Sequence, residues 1–163
     1  MKIKVLGWRS KGMRCPDAKL AFDKANNVDV IQMNNGTGKT TTLKLIQIAL
    51  SGPNIEYSDD EDVKLKTKPD KYLHMDAGKG SFELDMEFDD DSYTFIVEIN
   101  KGSEDIKFST SSPKIGGKLS GYHPPEEAAP FLSIDFVKLI VFDGEKAGEL
   151  FGEGQSARNS INT

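Results

Sequence analysis

Alternating apolar and polar residues in several short stretches predict β-strands. The alternation runs through residues 2–8 and 18–23, and a period of two residues is typical of a strand with one buried face. Residues 81–88 and 93–100 repeat the pattern, and a shorter stretch follows at 106–110. Because only short turns separate the last three stretches, they predict an antiparallel meander with one face in the core.

Other apolar stretches are continuous and predict buried elements. Residues 28–33, "VDVIQM", are rich in β-branched side chains and predict a buried strand that runs directly into a glycine-rich segment. Residues 134–142, "IDFVKLIVF", predict another buried strand. Residues 40–50 are apolar nearly all round a helical pattern that Gly52 and Pro53 end, so they predict a mostly buried helix.

The remaining segments are polar and predict surface structure. Residues 54–71 carry a block of acidic residues and then a block of basic ones, which is typical of a solvated excursion. Residues 126–129 follow two prolines and predict a short helix. The stretch "DGEKAGELF" (143–151) predicts a turn that leads into a helix.

Composition narrows the class of protein. The chain has 163 residues, of which 37% are hydrophobic, enough for one domain with a core. Its net charge of −5 argues against a small nucleic-acid binder acting by itself, since such domains are usually basic. The single cysteine, Cys15, excludes an intrachain disulfide framework, and neither a signal peptide nor a membrane-length apolar run is visible. We therefore expect a cytoplasmic protein.

The candidate chemistry lies in "MNNGTGKTT" (33–41), which keeps the end of the phosphate-loop pattern G-x-x-x-x-G-K-[ST]. Met33 replaces the first glycine, but a predicted strand precedes the loop and a predicted helix follows it, as the motif requires. Backbone N–H groups in such a loop bind phosphate oxygens, with help from the helix dipole. The expected nucleotide ligands are the amides of Asn34, Asn35, Gly36, Thr37 and Gly38, the Lys39 ammonium, the Thr40 hydroxyl as Mg²⁺ ligand, and Thr41 as donor to the α-phosphate.

Two segments around this loop resemble the N-terminal half of ABC/SMC-type ATPase heads, which include the double-strand-break-repair ATPases. "MKIKVLGWRS" is similar to their opening strand and the N-F-R-S-like turn after it. "VIQMNNGTGKTTTLKLIQIALSG" is similar to their phosphate-loop segment, with Asn35 before G-x-G-K. The resemblance implies an α/β P-loop NTPase fold, an antiparallel β-rich subdomain, bound ATP and Mg²⁺, and a nucleotide near Arg9.

A second match lies far downstream. "VKLIVFDGEKAGELF" resembles the strand, Q-loop turn and helix of the repair ATPases, with Asp143 in the glutamine position and Gly144 and Glu145 kept. The "FDGE" turn is similar to that of the SMC-like ATPase of the DNA phosphorothioation (Dnd) system and of related phage-defence ATPases. The resemblance implies that Asp143 contacts Mg²⁺ and the attacking water, which makes it the catalytic and second metal candidate. From the residues alone, Asp143 could also be a turn residue before Gly144.

The resemblance also implies that other chains or segments supply the rest of the catalytic site. No apolar strand ending in Asp-Glu is present, although "LIVFDGE" (139–145) imitates such a Walker B strand and stays an alternative. A C-terminal half of the same head would provide Walker B, the signature and the catalytic glutamate. ATP would be sandwiched with a second head, and DNA and other subunits would be engaged by the full assembly.

We therefore expect residues 1–163 to be the N-terminal part of one head, ending where a coiled coil begins. The expected process is DNA modification, phage defence or DNA repair. By itself the chain should bind nucleotide weakly and hydrolyse it slowly or not at all. Two other classes are compatible with the motif: a complete small P-loop kinase or GTPase, and a non-catalytic interaction module with a decayed phosphate loop.

Overall fold

The computed structural model describes residues 1–26, 28–53 and 69–141, and their architecture is mixed α/β. The strands are β1 (Ile3–Lys11), β2 (Ala18–Ala21), β3 (Lys79–Phe88), β4 (Asp91–Asn100), β5 (Lys107–Ser112) and β6 (Gly117–Ser120). The α-helices are α1 (Lys39–Ser51) and α2 (Ile134–Ile140), and short 3-10 helices cover Pro69–Tyr72, Pro113–Ile115 and Glu126–Leu132. The described strands form one six-stranded antiparallel sheet in the order β2-β1-β3-β4-β5-β6.

The predicted meander is confirmed. β3 and β4 pair along their whole length, from Lys79 opposite Asn100 to Phe88 opposite Asp91, and β5 continues the sheet from β4. Alternate residues of these strands line the core face, and Phe82, Leu84, Val97 and Ile99 have no exposed surface there. The strands predicted at 2–8 and 18–23 are confirmed as β1 and β2, and the short helix at 126–129 as part of a 3-10 helix.

The predicted helix that follows the phosphate loop is also confirmed. α1 starts and ends within one residue of the predicted range 40–50, and Leu45, Ile48 and Ala49 are at most 1% exposed. These side chains belong to the same core cluster as the apolar face of the sheet, so α1 packs on that face. The hydroxyl of the half-buried Tyr122 donates a hydrogen bond to the Leu50 carbonyl and holds the end of the helix.

The strand predicted at residues 28–33 is wrong. Residues 28–34 lie outside regular secondary structure, and the side chains of Val28, Val30 and Ile31 are 77%, 89% and 42% exposed. A strand needs a neighbour for its N–H and C=O groups, and none of the described strands pairs with residues 28–33. β-branched composition by itself therefore did not produce a strand here.

The strand predicted at residues 134–142 is also wrong, because residues 134–140 form α2. Its buried side chains recur at helical spacing: Ile134 and Val141 are half-buried and Val137 is fully buried. A short apolar run is compatible with either element, and packing beside α1 selected the helix. The Walker B alternative required a strand through Leu139 and Ile140, and the structure contradicts it.

Several predictions fall on residues outside the described part of the chain. These are the "FDGE" turn with Asp143, the helix expected after it, and the surface excursion up to residue 68. At the end of that excursion Pro69 is buried, so it is part of the core boundary and not of a solvated loop. Neither α1, α2 nor any other helix in the described ranges has the length and apolar character needed to cross a membrane.

Candidate phosphate-binding site

The loop before α1 turns tightly at two glycines. Gly36 and Gly38 have φ angles of 77° and 93°, a region that side chains other than glycine rarely adopt. Between them, the Thr37 hydroxyl donates to the Asn34 carbonyl at 2.6 Å, which closes the turn. Regular helical bonding begins with the Thr42 N–H, which donates to the Gly38 carbonyl at 2.8 Å. The positive end of the α1 dipole therefore lies at the loop.

Gly38 is also required by its neighbours. A Cβ atom on Gly38 would lie 2.6 Å from the Arg14 carbonyl oxygen and 2.8 Å from the Cys15 Cα. The loop between β1 and β2 is therefore packed directly against the phosphate loop. By contrast, a Cβ on Gly36 would meet nothing within 4 Å, so at Gly36 only the backbone conformation demands glycine.

A cavity of about 450 Å³ opens at the start of α1. It is lined by Arg14, Asn35, Gly36, Gly38, Lys39, Thr40 and Thr41. The lining thus contains two cationic side chains, several small or hydroxyl-bearing residues and no carboxylate. The Lys39 ammonium donates to the Asn35 side-chain oxygen at 3.0 Å, which holds it over the loop. Positive charge, a helix N-terminus and exposed amides are the features that bind a phosphate group.

The structure brings most of the predicted ligands together. Asn35, Gly36, Gly38, Lys39, Thr40 and Thr41 line the cavity. Asn34 and Thr37 belong to the same loop but form its internal turn. Asp143 lies outside the described residues, so its role as catalytic and metal residue stays a prediction.

Arg9 lies elsewhere. Trp8 and Ser10 are buried on the core face of β1, and because side chains alternate along a strand, Arg9 points to the opposite face. There its guanidinium pairs with Glu83 at 2.8 Å and Asp85 at 3.0 Å, both on β3. Arg9 is absent from the cavity lining, and its predicted place near the nucleotide stays a prediction.

Arg14 was missed as a site residue, although it lay in the predicted loop after the first strand. Its sequence position, between Gly12 and Pro16, indicates a loop but says nothing about what the loop contacts. Only its approach to Gly38 makes it part of the site. The one sequence signal that could have found Arg14 was its positive charge in the loop after the first strand, where the resemblance implies an arginine near the nucleotide.

Cys15, beside the loop, is a structural residue. Burial raises the pKa of its thiol, although hydrogen bonds with the Ser10 and Thr42 side chains partly offset the effect. A thiol with a raised pKa stays protonated at neutral pH and is a weak nucleophile. The Thr42 hydroxyl also donates to the Gly38 carbonyl at 3.0 Å, so these side chains brace the underside of the phosphate loop.

The Mg²⁺ ligand expected from the sequence, Thr40, lines the cavity. In the described ranges no group of three or more His, Cys, Asp or Glu side chains could hold a metal ion. Mg²⁺ in phosphate sites is commonly bound by one or two protein oxygens together with phosphate oxygens and water. The role of Thr40 as a Mg²⁺ ligand stays a prediction.

Comparison with the models of known protein families finds no match, and comparison with curated proteins finds no matching sequence.

Proposed function

We propose that this chain is the ATP-binding N-terminal lobe of an ABC/SMC-type ATPase head of the P-loop NTPase fold. One observation carries the proposal: a G-T-G-K-T loop with two positive-φ glycines enters a buried helix beside a cavity that two cations and no carboxylate line. The resemblance of the flanking segments to repair and DNA-modification ATPases supports ATP as the nucleotide. It also supports a cytoplasmic role in DNA modification, phage defence or DNA repair.

Each residue of the loop has a stated task in this proposal. The amides from Asn35 to Lys39 would bind phosphate oxygens, and the Lys39 ammonium would neutralise charge on the β- and γ-phosphates. The Thr40 hydroxyl would hold Mg²⁺, which when bound offsets the charge of those phosphates. Positioning and electrostatic stabilisation are most of what phosphoryl transfer requires from a protein, so this loop provides the binding half of a catalytic site.

The proposal includes a partner for exposed apolar residues before the loop and on α2. Val28, Val30 and Ile31 precede the phosphate loop with exposed side chains, and Leu139 on α2 is 72% exposed. We assign the C-terminal half of the same head as the element that covers them and that supplies Walker B. In addition, the Gln47 side chain on α1 donates to the Val141 carbonyl at 2.6 Å, two residues before Asp143 in the chain. This contact joins α1 to the end of α2.

Binding and turnover of ATP test the proposal. Titration of the 163-residue chain with Mg-ATP, followed by backbone amide NMR shifts, should move the Gly36 and Gly38 signals with a weak but saturable affinity. Lys39→Ala should remove this response, because it deletes the phosphate-binding ammonium. Lys11→Ala is the matched control, since Lys11 is an exposed cation at the end of β1 that does not line the cavity.

The outcomes separate the three classes of protein. Saturable binding with little or no hydrolysis supports the half-head proposal. Multiple turnover by the chain alone, at a rate comparable to a complete ATPase, would contradict it and favour a complete small kinase or GTPase. An absence of binding, or equal binding by the wild type and Lys39→Ala, would indicate an interaction module with a decayed loop. DNA binding is expected only of the complete assembly with its second head and other subunits.

A further inference from the structure

The backbone that carries Arg14 is held firmly by its neighbours. The Arg14 N–H donates to the Tyr72 carbonyl at 2.7 Å, and the His74 N–H donates to the Gly12 carbonyl at 3.1 Å. Between these bonds, Met13 is 1% exposed and forms a bridge with Leu73. The loop that follows β1 is therefore anchored in the core, although the Arg14 side chain itself is exposed.

The same loop is fixed relative to the phosphate loop. The Arg14 carbonyl lies against Gly38 so closely that no Cβ atom fits between them. An anchored backbone limits the positions that the long Arg14 side chain can sample. Arg14 therefore lies at the α1 N-terminus and lines the cavity, and its long side chain extends from this fixed backbone.

The charges around the cavity favour an anionic occupant. Arg14 and Lys39 line it together without a carboxylate, and within the described ranges no acidic side chain pairs with Arg14. Arg9 provides the contrast, because two carboxylates of β3 already neutralise it. A guanidinium presents a planar fork of donors that matches two phosphate oxygens at once.

The residues that line the cavity also indicate which part of a nucleotide it would bind, the phosphates or the base. Apart from the two cations, the lining residues are an asparagine, two glycines and two threonines, with no aromatic or aliphatic side chain. Nucleobases are typically held by stacking or by an apolar slot, and neither is available at this wall. We propose that Arg14 is a second phosphate-binding cation of the site, contacting the polyphosphate of the nucleotide and not its base. This inference rests on the proposed nucleotide function.

The test compares two ligands and three new variants of the full 163-residue chain, with Lys39→Ala as the variant expected not to bind. The ligands are Mg-ATP and inorganic tripolyphosphate, which carries the phosphates without a base. The variants are Arg14→Gln, which removes the charge, Arg14→Lys, which keeps the charge but loses the fork, and Lys11→Gln as the charge-matched control. Dissociation constants come from the NMR shifts of the Gly36 and Gly38 amides, and circular dichroism checks that each variant is folded.

We expect Arg14→Gln to weaken both ligands by roughly tenfold, in line with the loss of one charge-assisted contact. Arg14→Lys should lie between Arg14→Gln and the wild type, and Lys11→Gln should stay within about twofold of the wild type, because an exposed charge away from the ligand contributes little. Added salt should reduce the difference between the wild type and Arg14→Gln, since the contact is electrostatic.

Two results would overturn the inference while leaving the proposed function intact. In the first, Arg14→Gln binds both ligands with the same affinity as Lys11→Gln, while Lys39→Ala binds neither. The other is an Arg14→Gln variant that loses affinity for ATP but not for tripolyphosphate, which would assign Arg14 to the base or ribose. A wild-type chain that binds neither ligand would overturn the proposed function, and this inference with it.

Discussion

Replacing Gly38 by alanine should destabilise the protein through a contact between two loops that are far apart in sequence. The new methyl group would lie 2.6 Å from the Arg14 carbonyl oxygen and 2.8 Å from the Cys15 Cα. Both are backbone atoms of a loop that hydrogen bonds anchor to the segment around Tyr72. Because the clashing atoms belong to the backbone and not to the end of a flexible side chain, the backbone of that loop or of the phosphate loop must shift.

The magnitude follows from two contributions. A positive φ costs a residue with a side chain roughly 1–2 kcal/mol, and Gly38 has a φ of 93°. Forcing an extra carbon into a packed site typically costs about 1–3 kcal/mol more. We therefore expect Gly38→Ala to lower the free energy of unfolding by about 2–5 kcal/mol. Gly36→Ala should lose only about 1–2 kcal/mol, because its φ of 77° is also positive but its Cβ would meet nothing within 4 Å.

Urea denaturation of the wild type, Gly38→Ala and Gly36→Ala measures the difference directly. The two variants share the backbone cost, so the gap between them isolates the contact with the β1–β2 loop. In a thermal scan, a domain of about this size shifts by roughly 2–4 °C for each kcal/mol. Equal destabilisation of the two variants would refute the described packing of Arg14 and Cys15 on the phosphate loop.

Three further predictions concern the core and the sheet. Leu45→Ala should lower the free energy of unfolding by about 2–5 kcal/mol in urea denaturation, because the side chain is fully buried; a loss below 1 kcal/mol would contradict its place in the core. Tyr122→Phe should cost about 0.5–1.5 kcal/mol at neutral pH by removing the hydrogen bond to Leu50. Burial raises the pKa of the Tyr122 hydroxyl, so the folded state favours its protonated form. The free energy of unfolding of the wild type should therefore fall above about pH 10, where the unfolded tyrosine loses its proton. Tyr122→Phe should lack this part of the pH dependence. Arg9→Ala should cost about 0.2–1 kcal/mol, and a loss that 1 M salt does not reduce would argue against an ion-pair origin.

Local patterns were sufficient where an element depends mainly on its own residues. The alternation in residues 81–88 and 93–100 led to β3 and β4, because a two-residue period combined with a short turn leaves one simple arrangement, a hairpin with a buried face. The helix after the phosphate loop was predicted to within one residue at each end. Its glycine-rich start and its Gly-Pro end are local signals that do not depend on the rest of the chain.

The two wrong strands show where local patterns are insufficient. Residues 28–33 have strand-like composition, yet a strand also needs a partner along its edge, and none of the described strands lies beside it. Residues 134–140 are as apolar as a buried strand, but the positions of Ile134 and Val137 allow a helix face that packs near α1. In both cases the deciding interaction is with residues distant in sequence, which a periodicity cannot encode.

The residues of the candidate site fall into the same two groups, those predicted from local sequence and those that depend on contacts distant in sequence. The sequence alone was enough to predict a phosphate loop with Lys39 and the hydroxyls after it, since this motif consists of consecutive residues at the start of one helix. Only the tertiary structure decided where the two arginines lie. Arg9 faces two carboxylates of β3, because side chains alternate along a strand. Arg14 lines the cavity, because its loop packs against Gly38, far away in the sequence.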